Sequence, residues 1–162
     1  MTIQQLPAAA RTPSPWRNGA GVTREVAADP AGDWRVSLAL VAADGAFSLF
    51  PEFDRVLTVV DGPGLELTVG EAAAVTIAPL RPFAFSGALP TTARLLGGPV
   101  TALNLMTRRP GATVTLTPGG EELRPAPGTA VLALTLAGQD AVLVEHPSTA
   151  PGPNGPGVLI TL

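Results

Sequence analysis

Both tryptophans, three of the five phenylalanines, four of the ten arginines and one of the three asparagines of this 162-residue chain fall between residues 16 and 57. All but Arg24 sit in three runs, WRNGAGVT (16 to 23), WRVSLAL (34 to 40) and FSLFPEFDRVL (47 to 57), against a background of Ala, Val, Leu, Thr, Gly and Pro. Arginines beside aromatic and amide side chains suit one kind of chemistry, the holding of a small anion. A guanidinium grips a carboxylate through two parallel N–H bonds, and rings shield the contact from water.

Alternation along 34–41 puts Trp34, Val36, Leu38 and Leu40 on one face and Arg35, Ser37, Ala39 and Val41 on the other. On that second face Arg35 and Ser37 point either into a solvated cup or out to bulk solvent. TALNLMTRR (101 to 109) groups Ala102, Asn104, Met106 and Arg108 opposite Leu103 and Leu105. Asn in mid-strand runs against β-propensity, so Asn104 either serves a cavity or completes a hydrogen bond at a bulge. WRNGAG reads as a tight turn anchored by Trp16, with Arg17 and Asn18 at a rim. It lacks the third glycine, the preceding strand and the following helix of a dinucleotide fingerprint. Arg55 follows the Phe47, Phe50 and Phe53 cluster and either pairs locally with Asp54 or reaches a pocket. Arg108 and Arg109, just before Pro110 and Gly111, read as solvated charges at a strand end.

Other chemistries lack their parts. There is no Cys, and the single His, His146, stands apart from any carboxylate set with metal-ligand spacing. No G-x-S-x-G elbow or Ser–His pairing is present. A net charge of −3 without a basic run argues against a nucleic-acid partner. No basic amphipathic helix suits a membrane surface, and no run approaches ~18 apolar residues. The opening segment lacks the basic start and apolar run of a signal peptide, which leads us to expect a cytoplasmic protein.

The elements that must position these residues read as strands. Apolar runs of four to seven residues alternate with turn signals built from 18 Gly and 18 Pro, and no stretch of ten or more shows helical periodicity. Strands are expected at 22–27, 34–41, 47–50, 56–60, 65–69, 75–77, 83–85, 94–96, 100–106, 113–117, 130–136, 141–145 and 158–162. VLTVVDGPGLELTV (56 to 69) and AVLALTLAGQDAVLV (130 to 144) look alike, each a strand, a glycine turn and a strand. That likeness fits two small antiparallel barrels or one sandwich from a weak duplication, and equally the recurrence of hairpins in any all-β chain.

In this order and spacing, WRNGAGVT, WRVSLAL, GAFSLFPEFDRVLTVVDGPGLEL, RPFAFSG and GGPVTALNLMTRR resemble the HutD/Ves family of bicupin proteins, across roughly residues 14 to 110. The resemblance implies an all-β double cupin, two small antiparallel barrels or jelly-roll-like halves in one chain. We place the half that carries the motifs at 1–116, a connector at 117–129 and a completing β portion at 130–162. Family motif positions fall on Trp16, Arg17, Asn18, Gly19, Gly21, Thr23, Trp34, Arg35, Ser37, Phe47, Ser48, Phe50, Pro51, Asp54, Arg55, Asn104, Met106 and Arg108. Cupins commonly hold a metal through His and Glu, and this chain lacks those His ligands, so a metal-free pocket without cofactor is implied. Members called HutD are associated with histidine utilisation, with formylglutamate a suggested ligand. The chain also departs from the pattern. Arg17 stands for a usual Lys, Ala20 and Glu52 for Gly, Ala102 for an acid, and Ser86 and Ala88 for acids near the FxGx block.

The expectation is therefore a bacterial, cytoplasmic bicupin that binds a small carboxylate metabolite and has a regulatory or metabolic-control role. Its ligand-binding residues are expected among Trp16, Arg17, Asn18, Arg35, Ser37, Phe47, Phe50, Arg55, Asn104 and Met106, with Arg35 the leading cation. A metal-independent isomerase or hydrolase acting on an acidic metabolite, and an interaction protein forming a homodimer, remain as alternatives.

Overall fold

The alternating apolar runs form antiparallel strands throughout the computed structural model, which describes residues 3–162. In chain order the strands are β1 (Ile3–Leu6), β2 (Pro13–Pro15), β3 (Gly21–Ala28), β4 (Trp34–Val41), β5 (Gly45–Ala46), β6 (Asp54–Asp61), β7 (Leu65–Val69), β8 (Val75–Ile77) and β9 (Phe83–Ser86). Next come β10 (Thr91–Leu95), β11 (Val100–Thr107), β12 (Thr113–Thr117), β13 (Glu122–Leu123), β14 (Ala130–Thr135), β15 (Ala141–Glu145), β16 (Ala150–Pro151) and β17 (Gly157–Thr161). A single 3-10 turn, Ala8–Ala10, is the only helical element among the described residues.

The chain divides into two units. The larger, Thr12–Arg109, stacks a six-stranded sheet in the order β2-β3-β4-β11-β6-β9 with a four-stranded sheet in the order β5-β10-β7-β8. Its core lies between them, where Val41, Leu57, Val59 and Ala102 of the first sheet meet Leu65, Leu67, Ile77 and Ala93 of the second. Leu57, Leu65 and Leu67 are fully buried, and burial of each such side chain contributes about 1.5–3 kcal/mol. The smaller unit takes residues up to Arg11 together with Pro110–Leu162. It holds a five-stranded sheet in the order β1-β15-β14-β17-β12 and the short β13-β16 pair, around Leu123, Ala133, Val144 and Ala150.

The all-β expectation holds, and the sheets are jelly-roll-like rather than closed barrels. Four details differ from the sequence reading. Residues 47–50 form an anchored loop, not a strand: the Phe47 N–H donates to Thr91 O at 2.9 Å and the Phe50 N–H to Gly87 O at 2.8 Å. The two look-alike segments pair differently. β14 and β15 make a hairpin, whereas β6 and β7 belong to opposite sheets. Gly62 and Gly64, at φ of 99° and 103°, carry the chain across that gap in a conformation L side chains rarely adopt. The five short strands β1, β2, β5, β13 and β16 lie outside the sequence assignment. Finally, the units part at Arg109/Pro110 rather than at 117–129, and β13 and part of β12 fall within that expected connector. The physical reason is long-range pairing: β1 joins β15 with Ile3 opposite Val144, a partner that no local pattern announces.

Candidate functional site

Strand register builds the site. Across β4, β11 and β6 the chain aligns Arg35, Met106 and Arg55 in one row, Ser37, Asn104 and Leu57 in the next, and Ala39, Ala102 and Val59 in a third. Directly opposed residues of an antiparallel ladder project to the same face. The chemistry-bearing face of β4 and that of β11 therefore coincide. The opposite face presents Val36, Leu38, Leu103 and Leu105, all buried.

Over these rows opens a cavity of about 430 Å³. Trp16, Arg17, Asn18, Arg35, Ser37, Phe47, Phe50, Arg55, Asn104 and Met106 all line it, so the structure brings the ten sequence-selected residues together. Ser14, Pro15, Thr23, Ala39, Val41, Ala46 and Ser48 complete the wall. Ser14, Pro15 and Ala46 carry no signal by residue type and are recognisable only once the sheet is assembled. Arg108 and Arg109 lie outside it, ion-paired with Glu52 at 2.9 Å and with Asp33 at 3.1 Å. Arg108 also sits over the Phe53 ring at 5.1 Å, so Glu52, a departure from the family pattern, has a partner here.

Arg55 is the focus of the cavity. Alternation along β6 sends Asp54 to the opposite face, and the local Asp54–Arg55 pair does not form. The Arg55 side chain is instead only 5% exposed, and no carboxylate of the described residues lies within ion-pair reach. Its Nη2 donates to Asn104 Oδ1 at 3.3 Å and its Nη1 to Ser48 O at 3.4 Å, both long, and Nε has no partner. Three rings collar the guanidinium, with centres 4.9 Å (Phe85), 5.3 Å (Phe50) and 5.4 Å (Phe47) from Cζ. Cation–π attraction offsets part of the desolvation. Burial still pushes the guanidinium down to about 10. Phe85 is the residue that sequence reasoning missed, and its RPFAFSG block was the available signal.

Arg35 is placed differently. It is 40% exposed, and Glu25 Oε1 approaches its Nε to 3.2 Å. That oxygen lies off the N–H direction, because the Nε proton has no hydrogen-bond acceptor. The pair is coulombic, and Arg35, the leading cation of the sequence reading, is already offset.

Local structure explains why the walls stand where they do. Trp16 Nε1 donates to Thr23 Oγ1 at 2.7 Å, and its ring meets Phe47 edge-on at 5.8 Å. Gly21 must lack a side chain, since a Cβ there would lie 2.4 Å from Leu40 O and 3.1 Å from the Trp16 ring. Asn18 accepts from the Ala20 N–H at 3.0 Å and donates to Ala46 O at 3.1 Å, clipping the WRNGAG turn to β5. Opposite, the Gly87 N–H donates to Phe53 O at 2.8 Å. Gly87 thereby fastens the phenylalanine loop to the end of β9, where a Cβ would strike Phe50 O at 2.4 Å. Among the described residues no cluster of His, Cys, Asp and Glu could hold a metal, and His146 is exposed at the end of β15.

A family model described as HutD matches residues 8–151. The chain belongs to the HutD family. Protein Ves of Cronobacter sakazakii is 43% identical over 98 residues, which cover 58% of this chain and 54% of that protein; the chain thus spans about half the length of this curated relative. HutD from Pseudomonas fluorescens SBW25, whose structure is described for a formate condition, superposes with a TM-score of 0.84 at 29% identity over 98% of this chain and 96% of its own. A cupin 2 conserved barrel protein from Leptotrichia buccalis shares the fold at 14% identity, with a TM-score of 0.61 over 87% of each chain. The HutD pattern thus sits on a cupin-like framework.

Proposed function

We propose that this HutD-family protein binds a small carboxylate in the cavity over β4, β11 and β6, with Arg55 as its principal anchor. One observation carries the reading: a guanidinium 5% exposed, collared by three rings, with no counter-ion and an open cavity before it. A buried charge without a partner is costly, and a carboxylate entering the cavity supplies that partner. Asn104 sits beside Arg55 to orient the second polar group, and Trp16 and Phe47 close the side of the site. The lining contains no Asp, Glu, His or Cys. It offers no proton-transfer group that titrates near neutrality, which favours binding over turnover. A cytoplasmic, regulatory role in histidine utilisation, with a carboxylate intermediate of histidine degradation as ligand, fits this site and the family. No helix among the described residues is long and apolar enough to cross a membrane.

The test is a thermal-shift panel on dialysed, metal-stripped protein with formate, formylglutamate, glutamate, urocanate and histidine, run beside Arg55→Met. A ligand at 100 times its dissociation constant stabilises by about 2.7 kcal/mol, or roughly 5–11 °C for a chain of this size. A selective shift that disappears in Arg55→Met supports the reading. A flat panel, or a shift that survives the substitution, removes it.

A further inference from the structure

Three arginines line the cavity, and they are not electrically equivalent. Arg17 is exposed at the mouth, where solvent and salt screen it. Arg55 is buried and uncompensated. Arg35 is opposed by Glu25, and the position of Glu25 has a structural cause. β3 pairs with β4 in unbroken register from Gly21 opposite Val41 to Glu25 opposite Ser37, and slips only beyond Glu25, where Val26 is the extra residue and Ala27 lies opposite Val36. That register places Glu25 in the row of Ser37 and Asn104, adjacent to the row of Arg35, Met106 and Arg55.

We propose that Glu25 sets the charge the pocket accepts: it admits a ligand bearing one negative group at Arg55 and disfavours a second negative group near Arg35. This inference rests on the anion-pocket reading. One carboxylate neutralises Arg55, and nothing further remains to be neutralised inside. A second carboxylate within reach of Arg35 encounters Glu25, a like charge that already occupies that guanidinium. Because the Glu25–Arg35 contact lacks hydrogen-bond alignment, it acts through charge, and a neutral isostere at position 25 removes its effect while keeping its shape.

The experiment is calorimetric titration of acetate and of succinate into the wild type and Glu25→Gln at low and high salt. Both partners are partly exposed, so the change is moderate. The preference for succinate over acetate is expected to rise about threefold to tenfold in Glu25→Gln at low ionic strength and to shrink at high salt. Adding Arg35→Met to Glu25→Gln is expected to abolish the gain. An unchanged preference, or a gain that persists without Arg35, overturns the assignment of Glu25. Arg55→Met keeps the two ideas apart. If it abolishes acetate binding while Glu25→Gln leaves the preference unchanged, only the role of Glu25 falls; if neither probe binds either protein, both ideas fall.

Discussion

Arg55 and Leu57 are neighbours on one face of β6, both buried, yet their replacement should have unequal consequences. Leu57 is fully buried between the sheets, and Leu57→Ala is expected to cost about 2–5 kcal/mol in denaturant unfolding. Arg55 carries a burial penalty: a base whose pKa falls on folding is held charged in the folded state against its environment. With the value near 10, that penalty is of the order of 3 kcal/mol at neutral pH, about the size of what is lost by orphaning Asn104 Oδ1 and Ser48 O. Ligand-free Arg55→Met should therefore unfold within about 1 kcal/mol of the wild type, or above it. A loss as large as that of Leu57→Ala would show that Arg55 is a structural residue first. The same value fixes a pH dependence. The folded protein releases this proton above pH 10, before the unfolded chain does, so the penalty is full at neutral pH and is relieved between about 10 and the ordinary arginine value. Carboxylate affinity should be flat from about pH 6 to about pH 9 and fall as pH passes 10, because only the charged form holds the anion. Titration calorimetry across that range checks it.

At the scale of elements, the cavity depends on irregular segments clamped to regular ones. The phenylalanine loop supplies two of the three rings around Arg55, and Gly87 holds it through bonds from both sides. Gly87→Ala should push the loop away, lowering stability by about 1–3 kcal/mol and weakening acetate binding as well. Gly155→Ala, with nothing within 4 Å of a new Cβ, is the control and should leave both unchanged. Parallel losses in the two variants would show that the substitution type, not the loop, is responsible. The WRNGAG turn works in the same way on the other wall, where the Trp16 ring lies over Gly21 and Asn18 reaches across to β5.

At the scale of the whole molecule, the opening strand belongs with residues far along the chain. β1 extends the five-stranded sheet at β15, and the Ala8 N–H that follows donates to Asp140 Oδ1 at 2.7 Å. A variant beginning at Thr12 loses this edge, the partial burial of Ile3 and Leu6 and the ladder bonds to β15, at a cost of about 2–4 kcal/mol. Hydrogen exchange should accelerate first in β15 and β14 and least in β4, β11 and β6, where the pocket is built. Faster exchange in β4 or β11 than in β15 would contradict that order.

The amino-acid sequence by itself determined the all-β class, the HutD pattern and the faces of β4 and β11, because side-chain alternation with a period of two is a local property. Arg35 with Ser37, and Asn104 with Met106, could be paired off on paper for that reason. What remained open was whether those faces looked inward or outward, and that followed only when β11 seated itself between β4 and β6 and joined the two rows. The ranking of the arginines was likewise decided by tertiary structure. Arg35 and Arg55 are alike in type and in strand context, but the pairing of β3 with β4 brings a carboxylate to one, while three rings from the phenylalanine loop and β9 enclose the other. Desolvation and charge pairing depend on distance in space, and residues 25, 47, 50, 85 and 104 become neighbours of these guanidiniums only through the fold.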